Sequence, residues 1–515
     1  MADRITVDEA LAKLGGFGLF QWLIYLGASI AEMAVTHQIF LLTFIAAEPK
    51  WVCKNESVIC NFTKSIGLND DDYEARCDMP RSEWKFADDF TSIVTEFDLV
   101  CDDSILATVA SMFIFAGWII GSVLFGFLSD RFGRKVAFLS CVINISVVAL
   151  IGAFVNALWQ FIIIRFFVGV GIGCSASLFI ILSEFSGVKH RGTMGVIFWF
   201  SFIFGLCILP LYAHIIRDWR KLTILTSCLG FPAFIVWWIF PESVRYYLIR
   251  GKEDEAHEVL ERVAKYNKKP IIKDKLEQVE EEQKSSLKDL FATPTIRKHT
   301  LLSCFIWCVE AIVYYGVSFA SVLLGGNIYL SFFIINSMEI PSTIFAIWTV
   351  ERFGRKKTTL WGMVVACVAS ILGVVFRMHQ DNLYDGYWIM TVIMAMLSKG
   401  FINLSFIGVW VWSNELFPTV VRNTGMGTTN GLARVGSFLS GYVIWLTRIH
   451  PLIPYSIFAT MAFFASCACL MLPETTGQPT QEVISEDQVP AQEIKLIDNI
   501  DKSSPTLLHK NKMSV

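Results

Sequence analysis

The sequence predicts an all-α membrane protein: twelve transmembrane helices in two parallel six-helix repeats, with a disulfide-bearing extracellular loop. Three observations predict it. Of 515 residues, 54% are hydrophobic and only 17% charged, against about 25% charged in a typical soluble domain. Long apolar runs recur from end to end, where a soluble chain of this length would alternate domains with polar linkers. Three short motifs also recur, in the same order, in the two halves of the chain.

A spanning helix needs roughly 20 mostly apolar residues. Twelve stretches qualify: 17–46, 105–128, 136–156, 159–182, 193–215, 221–240, 300–323, 328–350, 358–377, 386–413, 424–447 and 453–472. The signal is weakest at 159–182 and 424–447. Residues Met1 to Lys13 are polar and charged, and the apolar run after them is too long for a signal-peptide core. It is read as the first span. The expected division is a cytoplasmic N-terminus (1–16), an N-terminal six-helix bundle (17–240) containing an extracellular loop (47–104), a cytoplasmic linker (241–299), a C-terminal bundle (300–472) and a cytoplasmic tail (473–515). The end of the tail is Ser/Lys-rich, a disordered composition.

Orientation follows from Lys and Arg in short loops, which stay cytoplasmic. The loops after spans two, four, six and eight are basic, so both termini are expected inside. One basic loop, RDWRK at 217–221, falls outside in this scheme. Four of the 13 cysteines, Cys53, Cys60, Cys77 and Cys101, lie in the first long loop. Two bridges are expected there, with three connectivities open. The same loop holds sequons at Asn55 and Asn61. Disulfides and N-glycans both belong to the non-cytoplasmic side, so a multi-pass plasma-membrane protein is expected. Sequons at Asn144 and Asn403 fall inside predicted helices and are read as chance matches.

The repeat is the most informative feature. FLSDRFGRK (127–135) returns as TVERFGRKK (349–357), SEFSGVKHRG (183–192) as NELFPTVVRNTG (414–425), and PESVRYYL (241–248) as PETTGQPT (473–480). Two halves that run in the same direction imply two bundles around a central site. Asp130, Arg131, Arg134, Glu184 and Arg191 in one half match Glu351, Arg352, Arg355, Glu415 and Arg422 in the other. Paired across helix ends, they form a candidate cytoplasmic gate. The competing reading is topology signalling alone.

At these motifs the sequence resembles the major facilitator superfamily. The cysteine-bearing first loop, FTSIVTEFDLVC (90–101) and NELFPTVVRNTGMG (414–427) narrow the resemblance to the organic cation, organic anion and carnitine transporter family. It spans DEALAKLGGFG (8–18) to LPETTGQP (472–479). The resemblance implies alternating access without ATP. Neither a phosphate-binding G-x-x-x-x-G-K-[ST] nor an H-E-x-x-H motif is present, so nothing argues for an enzyme, a cofactor or a metal.

Ionisable groups inside spans are costly and so mark candidate sites. Arg434, in NGLARVGSFLSG, matches a family position that is Arg in anion and carnitine carriers and Asp in cation carriers. A guanidinium can hold a carboxylate bidentately; the competing reading pairs it with a protein carboxylate. Lys399 matches a basic position in span ten. Arg165 and Glu339 resemble family positions with a structural or gating role. Glu310 and Glu32 match no family position, and each is a candidate to bind a cation or neutralise an Arg. His37 reads as a core histidine. Tyr314 and Tyr315 resemble the family's Tyr-Tyr-Gly, and Phe406 and Trp410, four apart, share a helix face. Such rings pack organic substrates and hold ammonium groups.

A cavity with Arg434 and Lys399 on one side and acids and aromatics on another suits an organic anion or a carnitine-like zwitterion. An organic cation carrier using Glu310 or Glu32 stays open, as does a non-transporting receptor on the same scaffold. The expected partners are a small organic ion, a coupled or exchanged ion and membrane lipid. Nucleic acid is not among them, and the oligomeric state is not set by the sequence.

Overall fold

The computed structural model describes residues 4–478 except 55, 56, 58, 69, 273, 279–285, 325 and 379–385. Ten helices among them are long and apolar enough to cross a membrane. In the first half these are spans one (Leu19–Ile45), two (Cys101–Phe132), three (Arg134–Phe154), five (Val188–Ile215) and six (Trp219–Ile239). In the second half they are seven (Pro294–Leu323), eight (Ile328–Phe353), nine (Arg355–Met378), ten (Ile389–Leu416) and twelve (Ile453–Leu470). Two more helical segments complete the twelve-span plan, and they are the two with the weakest sequence signal.

Span four is built from two helices, Leu158–Ile172 and Ser175–Phe185. It lies backbone to backbone against span two. A Cβ added at Gly169 would come within 1.9 Å of the Ile114 carbonyl oxygen, and one at Gly121 within 2.1 Å of the Val170 oxygen. Only glycine permits that approach. Span eleven, Thr419–Trp445, is long enough but too polar to register as apolar. Leu432, Val435 and Leu439 form its exposed apolar stripe. Gly427, Asn430, Gly431 and Arg434 lie on another face. A Cβ at Gly427 or Gly431 would meet nothing within 4 Å.

The repeat has a physical basis. Gly133 and Gly354 end spans two and eight with φ of +104° and +96°. In each half a glutamate from the third motif then caps the next helix. Glu242 accepts from the Arg134 and Lys135 N–H groups at 2.8 and 3.1 Å. Glu474 accepts from those of Arg355 and Lys356 at 3.1 and 3.4 Å. A carboxylate at a helix N-terminus satisfies orphan donors and the helix dipole together. The PES and PET motifs recur because the glycine turn recurs.

One face of the molecule carries these turns, termed here the signature face. On it the N-terminal helix, Val7–Lys13, is held by Asp8, which pairs with both Arg191 and Arg245. The linker helix Glu253–Asn267 packs beside it, and Asn267 accepts from the Phe20 N–H at 3.0 Å.

The opposite, disulfide face carries the first loop. Strands β1 (Trp51–Cys53) and β2 (Trp84–Phe86) pair antiparallel over a small core that includes Trp51, Tyr73 and Trp84. Cys53 bonds Cys60 and Cys77 bonds Cys101, which selects one of the three connectivities. Asn61 is exposed, and Asn55 lies outside the described residues. Asn403 is buried and donates to Ser342 and Thr343, so that sequon is structural. The basic loop at 217–221 also finds its reason here. Arg220 pairs with Glu96 and donates to the carbonyls of Ala153 and Val155. Its side chain thus ties the first loop to the end of span three.

Candidate functional site

The gating candidates pair within each half. On the signature face Arg134 binds Asp130 at 2.7 Å and approaches Glu184 at 3.6 Å. In the second half Arg355 binds Glu415 at 2.7 Å. Each pair ties the turn after one span to the neighbouring loop. Arg191 donates to the Ser183 carbonyl and joins Asp8, while Arg422 donates to Phe417 and Thr419. Arg131 lends its carbonyl to Tyr246 and Arg250. Glu351 is exposed and joins no ion pair among the described residues. The two capping glutamates differ. Burial lifts the Glu242 carboxyl above its ordinary range, against bonds from the Ser243, Lys135 and Arg134 N–H groups. At Glu474 burial is outweighed by bonds from Thr476, Lys356 and Thr475, and its carboxyl falls below that range.

No ion pair joins the halves on the signature face among the described residues. The disulfide face is different. Phe40 stacks on Tyr315, Phe44 on Tyr329, and Phe115 meets Tyr315 and Phe319 edge-on. Span eleven packs on span two closely enough that a Cβ at Gly441 would strike Met112 Sδ at 2.2 Å. Above these rings Arg448, after span eleven, pairs with Glu48 and Glu74 of the first half. Glu48 is itself held by Arg76 at 3.0 Å and Tyr73 at 2.7 Å. The halves are thus closed together on the disulfide face.

The polar centre lies beneath this closure. Arg434 lies with its guanidinium 3.8 Å from the centroid of Trp118, across the gap between the halves. It donates to Asn430 at 2.9 Å and to the Tyr315 hydroxyl at 3.3 Å. No carboxylate pairs with it among the described residues. Glu32 of span one is buried, and one of its oxygens has no partner.

Lys399 is placed otherwise. It forms a 2.8 Å ion pair with Glu339, both side chains fully buried. Its ammonium lies 3.1 Å from the Tyr314 ring centroid, and the Tyr314 hydroxyl donates to Glu339 at 2.6 Å. This triad ties spans seven, eight and ten. Glu310 is fully buried, takes a hydrogen bond from Ser405 and leaves one oxygen unpartnered. It sits inside the second half, apart from Arg434. Arg165 donates twice to Gln38 and so pins span four to span one. His37 is buried edge-on to Tyr212.

Phe406 stacks on Tyr314, meets Trp307 edge-on and reaches Trp199 of the first half at 6.5 Å. Trp410 touches Trp307 and is 39% exposed, so it is not enclosed with the others. Sequence reasoning passed over Trp118, Asn430, Asp8 and the capping glutamates. Helical spacing offered a signal for Asn430, which is one turn before Arg434; Trp118 comes from another span and had none.

Two six-helix halves around a polar centre, closed on one face, define a carrier of the major facilitator type. Among solved structures, the partially occluded inward-open xylose transporter XylE from E. coli shares the fold. Its TM-score is 0.62 at 17% identity, over 89% of this chain and 99% of that one. A family model described as "Sugar (and other) transporter" matches residues 60–486. The organic cation transporter protein of Drosophila melanogaster is 30% identical over 93% of this chain and 94% of its own. Organic anion transporter 3 of Oryctolagus cuniculus is 31% identical over 94% and 93%. Solute carrier family 22 member 13 of Homo sapiens is 31% identical over 80% and 74%. The chain belongs to the sugar (and other) transporter family and, within it, to solute carrier family 22.

Proposed function

We propose that the protein carries small zwitterions of the carnitine type, or organic anions, by alternating access. The observation that supports this reading is one unmatched ionisable group in each half. Arg434 in the second half and Glu32 in the first each lack an ion-pair partner among the described residues. Lys399, in contrast, is neutralised by Glu339. A zwitterion placed between them puts its carboxylate on the guanidinium and its ammonium against Glu32 and the aromatic rings. A substrate bound from both sides also favours the state in which the halves close on it.

In this reading the signature face is cytoplasmic, both termini lie inside, and the disulfide face looks out of the plasma membrane with a glycan on Asn61. The chain divides at 240 and 300 into two bundles and a linker. The Arg134 and Arg355 pairs, with Arg165 and Glu339, hold each half rigid while the halves rock. No chemical step on the substrate is needed. A purely anionic substrate is the second reading, favoured by the relative named as an organic anion transporter.

The test is uptake of labelled carnitine, a dicarboxylate and tetraethylammonium by wild type, Arg434→Ala and Glu32→Gln at equal surface levels. Carnitine uptake that is lost in both variants supports the zwitterion. Dicarboxylate uptake lost only in Arg434→Ala supports the anion. Tetraethylammonium uptake that survives Arg434→Ala overturns both.

A further inference from the structure

The two halves repeat a lysine and use it differently. Lys356, at the start of span nine, donates its ammonium to the Leu470 and Leu472 carbonyls at 2.9 and 2.6 Å, where span twelve ends. Carbonyls at a helix C-terminus need such a donor. The counterpart Lys135 starts span three, yet it does not cap the end of span six. Arg262 of the linker helix has that place and donates to the Trp238 carbonyl at 2.5 Å. The Lys135 ammonium lies instead over the Trp237 ring, 4.2 Å from its centroid.

Two cations thus stand at the end of span six, on consecutive tryptophans. Neither has a carboxylate partner among the described residues, and the Lys135 ammonium has no hydrogen-bond acceptor among them. Glu242, which caps the same helix, turns its oxygens to the N–H groups of Arg134, Lys135 and Ser243. Lys135 and Arg262 are both partly exposed, so a ligand can reach them. Beside them the last helix of span six, Ala233–Ile239, exposes Ile235 and Trp238 on one face. In a spanning helix such residues face hydrocarbon, and a tryptophan at the helix end lies at headgroup level.

We propose that the end of span six, with Lys135, Arg262 and the exposed face of Ile235 and Trp238, is a binding site for an anionic phospholipid. An acyl chain lies along the apolar face, and the headgroup phosphate bridges the ammonium and the guanidinium. The bridge ties the start of span three to the linker helix. A zwitterionic headgroup brings a cation of its own to the two already there, which disfavours it. The site needs neither Arg434 nor the zwitterion reading of the central one.

The test is native mass spectrometry of the detergent-purified full chain titrated with dioleoylphosphatidylglycerol or dioleoylphosphatidylcholine. Wild type, Lys135→Gln, Arg262→Gln, the double variant and Lys357→Gln are compared, the singles serving if the double fails to fold. Lys357 is an exposed cation after the matching turn of the second half and controls for charge alone. Expected is one phosphatidylglycerol retained by wild type in preference to phosphatidylcholine. That preference falls about tenfold in the double variant and survives Lys357→Gln. Equal retention of the two lipids by wild type, a preference kept in the double variant, or an equal loss in Lys357→Gln overturns the proposal. So does displacement of the lipid by glycerol 1-phosphate, since the site would then take a soluble phosphate.

Discussion

Lys399 and Glu339 face each other 2.8 Å apart with no exposed side-chain surface, and the Tyr314 ring covers the ammonium. Breaking a buried pair by removing one partner costs about 3–5 kcal/mol, whereas replacing both can be neutral. Glu339→Gln and Lys399→Met are each expected to lower the thermal midpoint of the purified protein by several degrees. The double variant, in which the substituted amide still accepts from Tyr314, is expected to regain most of it. A double variant as unstable as the worse single would remove the pair from the fold's architecture. A stable but inactive one would assign Lys399 to transport.

The glycine turns predict a graded response. Gly133 has φ +104°, and a Cβ there would lie 2.0 Å from Glu242 Oε2; at Gly354 the matching distance to Glu474 is 2.7 Å. Backbone strain of this kind costs of order 1–3 kcal/mol. Gly133→Ala is expected to reduce stability more than Gly354→Ala, because it must also displace the capping carboxylate. Thermal midpoints of the two variants check the order, and equal losses would leave only the backbone term.

His257 ties the linker helix to the segment that follows it, where Leu276 bridges Ile5. Its two ring nitrogens each lie 3.0 Å from a carbonyl, of Glu253 and Asp274, and only the imidazolium donates to both. Burial pulls its pKa down, and the two carbonyls with nearby acids raise it above the ordinary 6.5. The group is favoured charged, so its contribution is fully present below 6.5 and fades as pH rises through the folded value. Amide exchange at 274–277, corrected for intrinsic rate, is expected to speed up between pH 6 and 8. His257→Gln is expected to abolish that dependence, and a dependence that survives it belongs to another group.

Arg448 is a charged tie across the disulfide face, binding Glu48 and Glu74 of the other half. Arg448→Gln is expected to favour opening there. A cysteine placed at Met112 should then react several-fold faster with an impermeant maleimide than it does with Arg448 intact. An unchanged rate would leave closure to the aromatic layer of Phe40, Phe115 and Tyr315.

Motifs that repeat along the chain were readable because their physics is local. A glycine turn, a basic helix start and a capping glutamate need each other at short range, so the FGRK loops and the PES and PET motifs recur together. The spans were readable from hydropathy, and the two weakest were weak for a cause. Span four breaks where glycines let it touch span two, and span eleven carries polar residues on the face that holds Arg434. Charge partners were not readable. Lys399 and Arg434 look alike as lone cations in apolar helices, yet one is matched by Glu339 and the other by Trp118 and Tyr315.

By itself the sequence determined the class, the twelve spans, the doubling and the residues that had to be explained, since each follows from composition or from neighbours within a few turns. Tertiary structure alone decided which charges are paired and which have no ion-pair partner among the described residues, how the four cysteines pair, and that the halves meet on the disulfide face. The reason is that an ion pair or an aromatic seal joins residues from different spans. Their distance is set by how helices pack, and hydropathy holds no record of it.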